Sequence, residues 1–370
     1  MGAAGIACST SEMSAKGSTG MEVNLDLVPL READMSAYEI MLSESQERML
    51  VVVKPEDEKA IKKIFTKWDL NAEEVGKVTD DGILRIRRFG KIEAEVPSKT
   101  LALGEGAPVY VRESRRPDYL DKLARFDPNT LPEPADYGNA LMRLLSSPNI
   151  AAKNYVFERY DYMVGTNTVV LPGEGDAAVI RLERWASTEP GKKRGLIVKT
   201  DCNARYVYID PKAGGEHAVV EAARNIACAG GKPVAITNCL NFGNPYKPEV
   251  YYQFEKAVEG IARACTELET PVTGGNVSFY NESPNRTVYP TPVIGMLGVT
   301  EDASKSLRAA FVKENDMIAV IGAESDDLGG SEYLKVIHNT VGGKVPPVDY
   351  DYERHLHSFL REAVALELLR

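Results

Sequence analysis

The chain has 370 residues, 44% of them hydrophobic and 26% charged, which is the balance of a folded globular protein and argues against long disorder or a fibrous repeat. Its formal charge of −10 is the wrong sign for a sequence-independent nucleic-acid binder, which needs clustered Lys and Arg to displace counterions from phosphates. No apolar run approaches the roughly 20 residues that cross a bilayer, so a small molecule is the expected partner and a membrane is not.

The opening, MGAAGIACSTSEMSAKG, has neither the basic nor the apolar region of an export signal. Five cysteines, Cys8, Cys202, Cys228, Cys239 and Cys265, are odd in number and form no CxxC pair, so neither a disulfide framework nor a zinc site is indicated and a reducing cytoplasm is expected. His355 and His357 lie on a charged amphipathic stretch, which reads as a solvated helix face or as a pair of metal ligands.

In chain order, residues 2–20 are rich in Gly, Ala and Ser and read as a loop running into a helix. Residues 41–53, MLSESQERMLVVV, are apolar at both ends and polar in the middle, a pattern predicting two strand segments joined by a functional loop or bulge. Ile61, Ile64, Phe65 and Trp68 recur at helical spacing within residues 56–68. Short strands are predicted at 74–78, 83–87 and 91–96, with a turn at Asp80, Asp81 and Gly82. Together these make an α+β half-domain ending near Pro97.

Residues 98–153 lose periodicity and gain Pro, Arg and Asp, as a surface connector with one short helix near 140–145 would. Beyond it, strands are predicted at 169–171, 177–182, 195–199 and 206–209, and helices at 217–229 and 250–268. Each helix is followed by an apolar strand, 233–237 and 271–273, that delivers a polar loop, TNCLNFGNP or TGGNVSFYNES. Such loops at one rim of a sheet suit a nucleotide, because glycines let the backbone approach a ligand and amides supply hydrogen bonds or metal coordination. In a third segment a strand is predicted at 317–321, followed by the loop AESDDLGGSEY and a last helix.

Within TGGNVS, two glycines permit close approach of phosphate, Asn276 offers a neutral oxygen to a hard cation such as magnesium, and Ser278 offers a hydroxyl. The alternative is an ordinary Gly-Asn turn. In SESQER, Glu44 could accept from ribose hydroxyls while Ser45 and Gln46 donate to a phosphate or amide, or the whole run is a surface bulge. Arg205 is either a phosphate contact or an exposed strand start, and Cys239 either a nucleophile or, more in keeping with its neighbours, a structural thiol. Neither GxxxxGK[ST] nor a GxGxxG after a strand occurs.

The segments GAAGIACSTSEMSAKG, VPLREADMSAYEIMLSESQERM, YDYMVGTNTV, ARYVYIDPKAGGEHAVVEAARNIACAGGKPVAITNCLNFGNPYKPEVYYQ and PVTGGNVSFYNES, in this order, resemble the large-subunit family of phosphoribosylformylglycinamidine synthases, PurL of the small bacterial type. The resemblance implies an internal piece of a chain built from two aminoimidazole ribonucleotide (AIR) synthetase-like units, each with N- and C-terminal half-domains of mixed sheet packed with helices. Residues 1–97 would be most of the first unit's C-terminal half, 98–153 a connector, 154–300 the second unit's ATP-binding-type N-terminal half, and 301–370 the start of its C-terminal half.

The activity so implied is that of an ATP-dependent C–N ligase of purine biosynthesis. ATP activates the amide of formylglycinamide ribonucleotide as an iminophosphate, which ammonia from glutamine displaces to give the amidine, ADP and phosphate, with Mg2+ neutralising the phosphates. By position, Glu44, Ser45, Gln46 and Ser278 would contact the ribonucleotide, Gly275 and Asn238 would contact ATP, and Asn276 would hold magnesium. Many relatives have Asp where this chain has Asn238, which keeps an acceptor but loses the charge. The family's partners are a glutaminase subunit and a small bridging subunit. Its catalytic histidine motifs have no counterpart in this sequence, so no catalytic residue is assigned and the chain by itself is expected to be inactive; the alternative is a noncatalytic nucleotide-binding scaffold.

Overall fold

The computed structural model describes residues 1–102, 106–182, 193–322 and 327–370, and the chain divides into two units, Met1–Val111 and Arg112–Arg370. In the first unit, helix α1 (Gly5–Gly17) precedes strand β1 (Gly20–Asn24), helices α2 (Ala37–Leu42) and α3 (Glu58–Lys67), and strands β2 (Gly76–Thr79), β3 (Ile83–Arg88) and β4 (Lys91–Pro97). The sheet order is β2-β1-β3-β4, with β1 parallel to β3 and the other pairs antiparallel. Phe89 and Gly90, both at positive φ, form the two-residue loop of the β3–β4 hairpin. Ile6, Met21, Val23, Leu25, Ile40, Leu84 and Ile86 form its core.

The stretch 2–20 is a short turn running into a helix, in which Ser9, Thr10 and Ser11 return their hydroxyls to the carbonyls of Gly5, Ile6 and Ala7 four residues back, so their polarity does not interrupt the turns. One expectation fails in this unit. Residues 41–53 are not two strands. Met41 and Leu42 finish α2, whose start is set by a capping box in which Ser36 Oγ accepts from the Glu39 amide while Glu39 accepts from the Ser36 amide at 2.7 Å. Val51 and Val52 follow outside the sheet and half exposed.

The second unit begins with helices α4 (Tyr119–Ala124), α5 (Tyr137–Leu145) and α6 (Asn154–Phe157), and continues through strands β5 (Thr168–Val170), β6 (Ala178–Arg181) and β7 (Gly195–Asp201). Helices α7 (Ala204–Ile209) and α8 (Pro211–Cys228) lead to β8 (Lys232–Asn241), then α9 (Pro248–Glu267) to β9 (Val272–Ser278). A short ribbon, β10 (Glu282–Ser283) and β11 (Arg286–Thr287), precedes β12 (Thr291–Thr300), and helices α10 (Glu332–His338) and α11 (Tyr350–Ala365) follow. The six-stranded sheet has the order β5-β6-β7-β12-β8-β9, antiparallel except for β8 and β9.

Ile197, Ile236, Ile294 and Met296 point from this sheet into a core with Ala218, Val219, Ala222, Ala223 and Ile226 of α8; each fully buried large aliphatic contributes about 1.5–3 kcal/mol by removal from water. Helices α8 and α9 approach closely at Gly215 and Gly260: a Cβ on Gly215 would lie within 3.2 Å of the Ala257 Cα, and one on Gly260 3.1 Å from the Glu216 amide. On alternate residues, Val198, Thr237, Gly295 and Leu297 turn to the opposite face and line an open depression of about 470 Å³.

Here too the structure corrects the sequence reading. Residues 206–209 are helical, because the Asn203 side chain accepts from the Arg205 and Tyr206 amides and starts α7. The supposed loops TNCLNFGNP and TGGNVSFYNES contribute their first halves to β8 and β9, where mutual pairing supplies the hydrogen bonds that a loop would leave open. Residues 317–321 join no strand and are exposed, Val320 at 96%. Residues 323–326, the beginning of the loop AESDDLGGSEY, lie outside the described residues.

Candidate functional site

Parallel pairing of β8 with β9 sets Thr237 beside Gly274, Asn238 beside Gly275, Cys239 beside Asn276 and Asn241 beside Ser278. Four of the residues selected from the sequence, Asn238, Gly275, Asn276 and Ser278, therefore stand on one strand pair at the sheet edge. Side chains reinforce the ladder: Thr237 Oγ1 donates to the Gly274 carbonyl at 3.1 Å, and Cys239 Sγ to Asn276 Oδ1 at 3.3 Å. Residues 272–277 are exposed to solvent, as backbone that is to meet a ligand must be.

Gly275 is required by its neighbour. With φ +156, a Cβ there would overlap Asn238 Oδ1 and fall 2.5 Å from the Asn238 carbonyl oxygen. Asn238 thus fills the space that a side chain at 275 would need. Ser278, at the strand's end, is held by Asn281, whose Nδ2 donates to the carbonyls of Ser278 at 2.7 Å and Phe242 at 3.0 Å and lies 3.2 Å from the Ser278 hydroxyl.

Glu44, Ser45 and Gln46 belong to the first unit and are exposed. Glu44 Oε1 accepts from the Ala4 amide at 3.2 Å, placing a carboxylate at the start of α1, which has no side-chain cap of its own. Arg205 fits neither of its readings: it is ion-paired with Glu332 and donates to the Gly330 carbonyl at 3.2 Å. Of the two histidines, His355 is exposed but His357 is buried, with Nε2 3.5 Å from Glu353, so the face is not uniformly solvated.

Charge is concentrated behind the sheet. Burial pushes the Asp201 carboxyl up, against the hydrogen bond it accepts from Asn225 at 2.9 Å and the Lys199 ammonium, and burial also raises Glu221, with the Asp201 charge adding to it. The neighbouring Cys202 thiol is pushed by burial up to about 12 and is no nucleophile. Among the described residues no group of three or more His, Cys, Asp or Glu could hold a metal ion. A hard cation at β9 would rest on Asn276 Oδ1, an exposed neutral oxygen whose protein contact is a weak thiol donor, with remaining ligands from water and phosphate; that is a donor set magnesium accepts. Sequence reasoning missed Cys239, Asn241 and Asn281 as supports of this edge. Alternation along β8 would have flagged Cys239 had the segment been taken as strand.

Residues 174–300 match the AIR synthase related protein N-terminal domain, and residues 1–88 match the AIR synthase related protein C-terminal domain. The chain thus carries two domains of the AIR synthase related kind, folded as α+β units with mixed sheets. Within that class its similarity is to the PurL subunits of phosphoribosylformylglycinamidine synthase. It is 50% identical to the subunit of Moorella thermoacetica over 368 residues, covering 100% of this chain and 49% of that protein. To the subunit of Leptospira biflexa it is 52% identical over 365 residues, 98% of this chain and 48% of the relative. The chain thus spans about half the length of the curated relatives it matches. Among solved structures, Thermotoga maritima PurL complexed with ATP superposes with a TM-score of 0.61 at 34% identity, over 82% of this chain and 46% of that one. T. maritima PurL complexed with FGAR gives 0.63 at 29% identity, over 98% and 50%. No helix among the described residues is long and apolar enough to cross a membrane.

Proposed function

We propose that this chain supplies part of the nucleotide and ribonucleotide site of a phosphoribosylformylglycinamidine synthase, the ATP-dependent ligase that turns formylglycinamide ribonucleotide, ATP and glutamine-derived ammonia into the amidine, ADP and phosphate in purine biosynthesis. The observation that carries it is the β8–β9 edge, where a glycine required by its cross-strand neighbour and a metal-competent amide oxygen lie on exposed strand that ends at a held serine hydroxyl. Similarity over most or all of this chain to about half the length of PurL subunits, including one complexed with ATP and one with FGAR, supports the same reading.

In this reading Asn238 and Gly275 contact ATP together, the Asn238 carboxamide lying in the space that the missing side chain of Gly275 leaves open. Asn276 holds Mg2+, which when bound neutralises phosphate charge. Ser278 is a ribonucleotide contact of the second unit, and Glu44, Ser45 and Gln46 are ribonucleotide contacts of the first, each through hydrogen bonds. Residues 1–97 are the C-terminal half of one AIR synthetase-like unit, 98–153 a connector, 154–300 the N-terminal half of a second and 301–370 the start of its C-terminal half. The working complex includes a glutaminase subunit and a small bridging subunit and operates in the cytoplasm.

Calorimetric titration of the purified chain with ATP, with and without Mg2+, tests the site. Asn276→Ala should weaken Mg2+-dependent binding by about tenfold or more and leave metal-free binding unchanged. Absence of nucleotide binding, or equal affinities for the wild type and the variant in Mg2+, would sink the assignment.

A further inference from the structure

We propose that Cys239 is a positioning residue for the metal contact: its thiol proton fixes the orientation of the Asn276 carboxamide. The inference rests on the reading of Asn276 as a magnesium ligand and adds the residue that orients it.

Register places Cys239 directly beside Asn276, and neighbouring residues in register project to the same side of a sheet. The sulfur lies 3.3 Å from Asn276 Oδ1. An amide oxygen only accepts, so the proton between them belongs to the thiol. A second observation fixes the direction independently. Asn241, anchored by its Nδ2 to the carbonyls of Cys239 at 3.0 Å and Thr291 at 3.1 Å, also aims Nδ2 at the sulfur from 3.6 Å. One of the two Asn241 N–H groups is thus shared between a carbonyl and the sulfur, which receives that share on one side and donates to Asn276 on the other. Turning the Asn276 amide over would bring its NH2 toward a sulfur already facing an N–H donor and would carry Oδ1 away. This arrangement therefore selects the rotamer that keeps Oδ1 in place, with a second lone pair for a cation. Groups that orient a metal's ligands in this way affect affinity although they never touch the ion.

The test uses the full chain and reads the Mg2+ concentration that half-saturates ATP binding, alongside ATP affinity in chelator. Since a thiol is a weak donor, Cys239→Ala should raise the Mg2+ requirement about fivefold and leave the chelator affinity as it is. Cys239→Ser, which restores a donor, should return the requirement to within about twofold of wild type. On an Asn276→Ala background, Cys239→Ala should add nothing, because the group it orients is gone. An unchanged Mg2+ requirement in C239A, a serine variant no better than alanine, or an equal effect with and without Asn276 would each overturn the proposal. If the wild type binds no ATP at all, the assignment of the strand pair fails and the proposal falls with it; binding that ignores Cys239 sinks the proposal alone. Should C239A not fold, iodoacetamide modification of Cys239 in the wild type, mapped by mass spectrometry, serves instead. Mg·ATP should slow modification of Cys239, ATP in chelator should not, and equal rates in both would count against the idea.

Discussion

In the second unit the selected residues Asn238, Gly275, Asn276 and Ser278 sit on paired strands, whereas in the first Glu44, Ser45 and Gln46 follow a helix end in an exposed segment outside the sheet. Strand pairing fixes the spacing of consecutive residues and dictates which side chains are neighbours, so the geometry of the β8–β9 edge is a property of the whole sheet. The segment after α2 is held instead by individual side-chain bonds, chiefly Glu44 to the Ala4 amide and Arg48 to the Ser43 carbonyl. The same kind of polar residue is therefore placed by a strand ladder in one unit and by single side-chain bonds in the other. Substitutions should distinguish the two.

The largest effect is expected at Gly275. Gly275→Ala must move the Asn238 carbonyl or distort β9, and should cost about 2 kcal/mol in urea unfolding with faster amide exchange in β8 and β9. Gly274→Ala next to it, with open space around its Cβ position, should stay within about 0.5 kcal/mol of wild type; equal costs at the two positions would mean that strand pairing does not govern this edge. Glu44→Ala removes the carboxylate at the start of α1 and should cost about 0.5–1 kcal/mol, with protection lost in α1 and β1 and not in β8. No change at all would leave Glu44 without a structural role.

The two units should also answer pH in opposite senses. The Arg85 guanidinium, with Thr79, holds the exposed Asp81 carboxyl at about 2 against an ordinary 3.8, so what it contributes is present above 3.8 and is lost as pH falls toward 2. Asp201 and Glu221 are raised by burial, so their contribution is present in full below their ordinary values of 3.8 and 4.5 and is lost as pH rises through the folded values. Asp81→Asn should flatten the acid limb in amide exchange of the first unit. Asp201→Asn with Glu221→Gln should gain on the wild type as pH rises from about 4 to 7 in the second; a parallel shift at all pH values would contradict the assignment. The smallest change is expected for Asn276→Ala, which sits on exposed strand and should alter unfolding by less than about 0.5 kcal/mol while weakening Mg2+-dependent ATP binding.

Much of this molecule could be read before any coordinates. Helices α3, α8 and α9 were legible because a 3.6-residue period needs only local spacing, and the strands β3, β4, β6 and β7 because short alternating or apolar runs ended at turn residues. What misled was polarity. Thr237–Cys239 and Gly274–Ser278 look like loop because Asn, Gly and Ser dominate them, yet pairing between the two segments makes them strand. The capping signals at Ser36 and Asn203 were present in the sequence but were outweighed by the apolar residues beside them.

The sequence alone determined the α+β character, the order of most elements, the family resemblance and the residue types available for a ligand, since each follows from composition, local period or motif. Only the tertiary structure decided that Cys239 lies beside Asn276, that Asn238 occupies the space Gly275 leaves open, and that Arg205 is consumed by Glu332. The reason is physical: register and ion pairing join residues far apart along the chain, here separated by 37 positions for Cys239 and Asn276 and 127 for Arg205 and Glu332, and no local pattern carries that information.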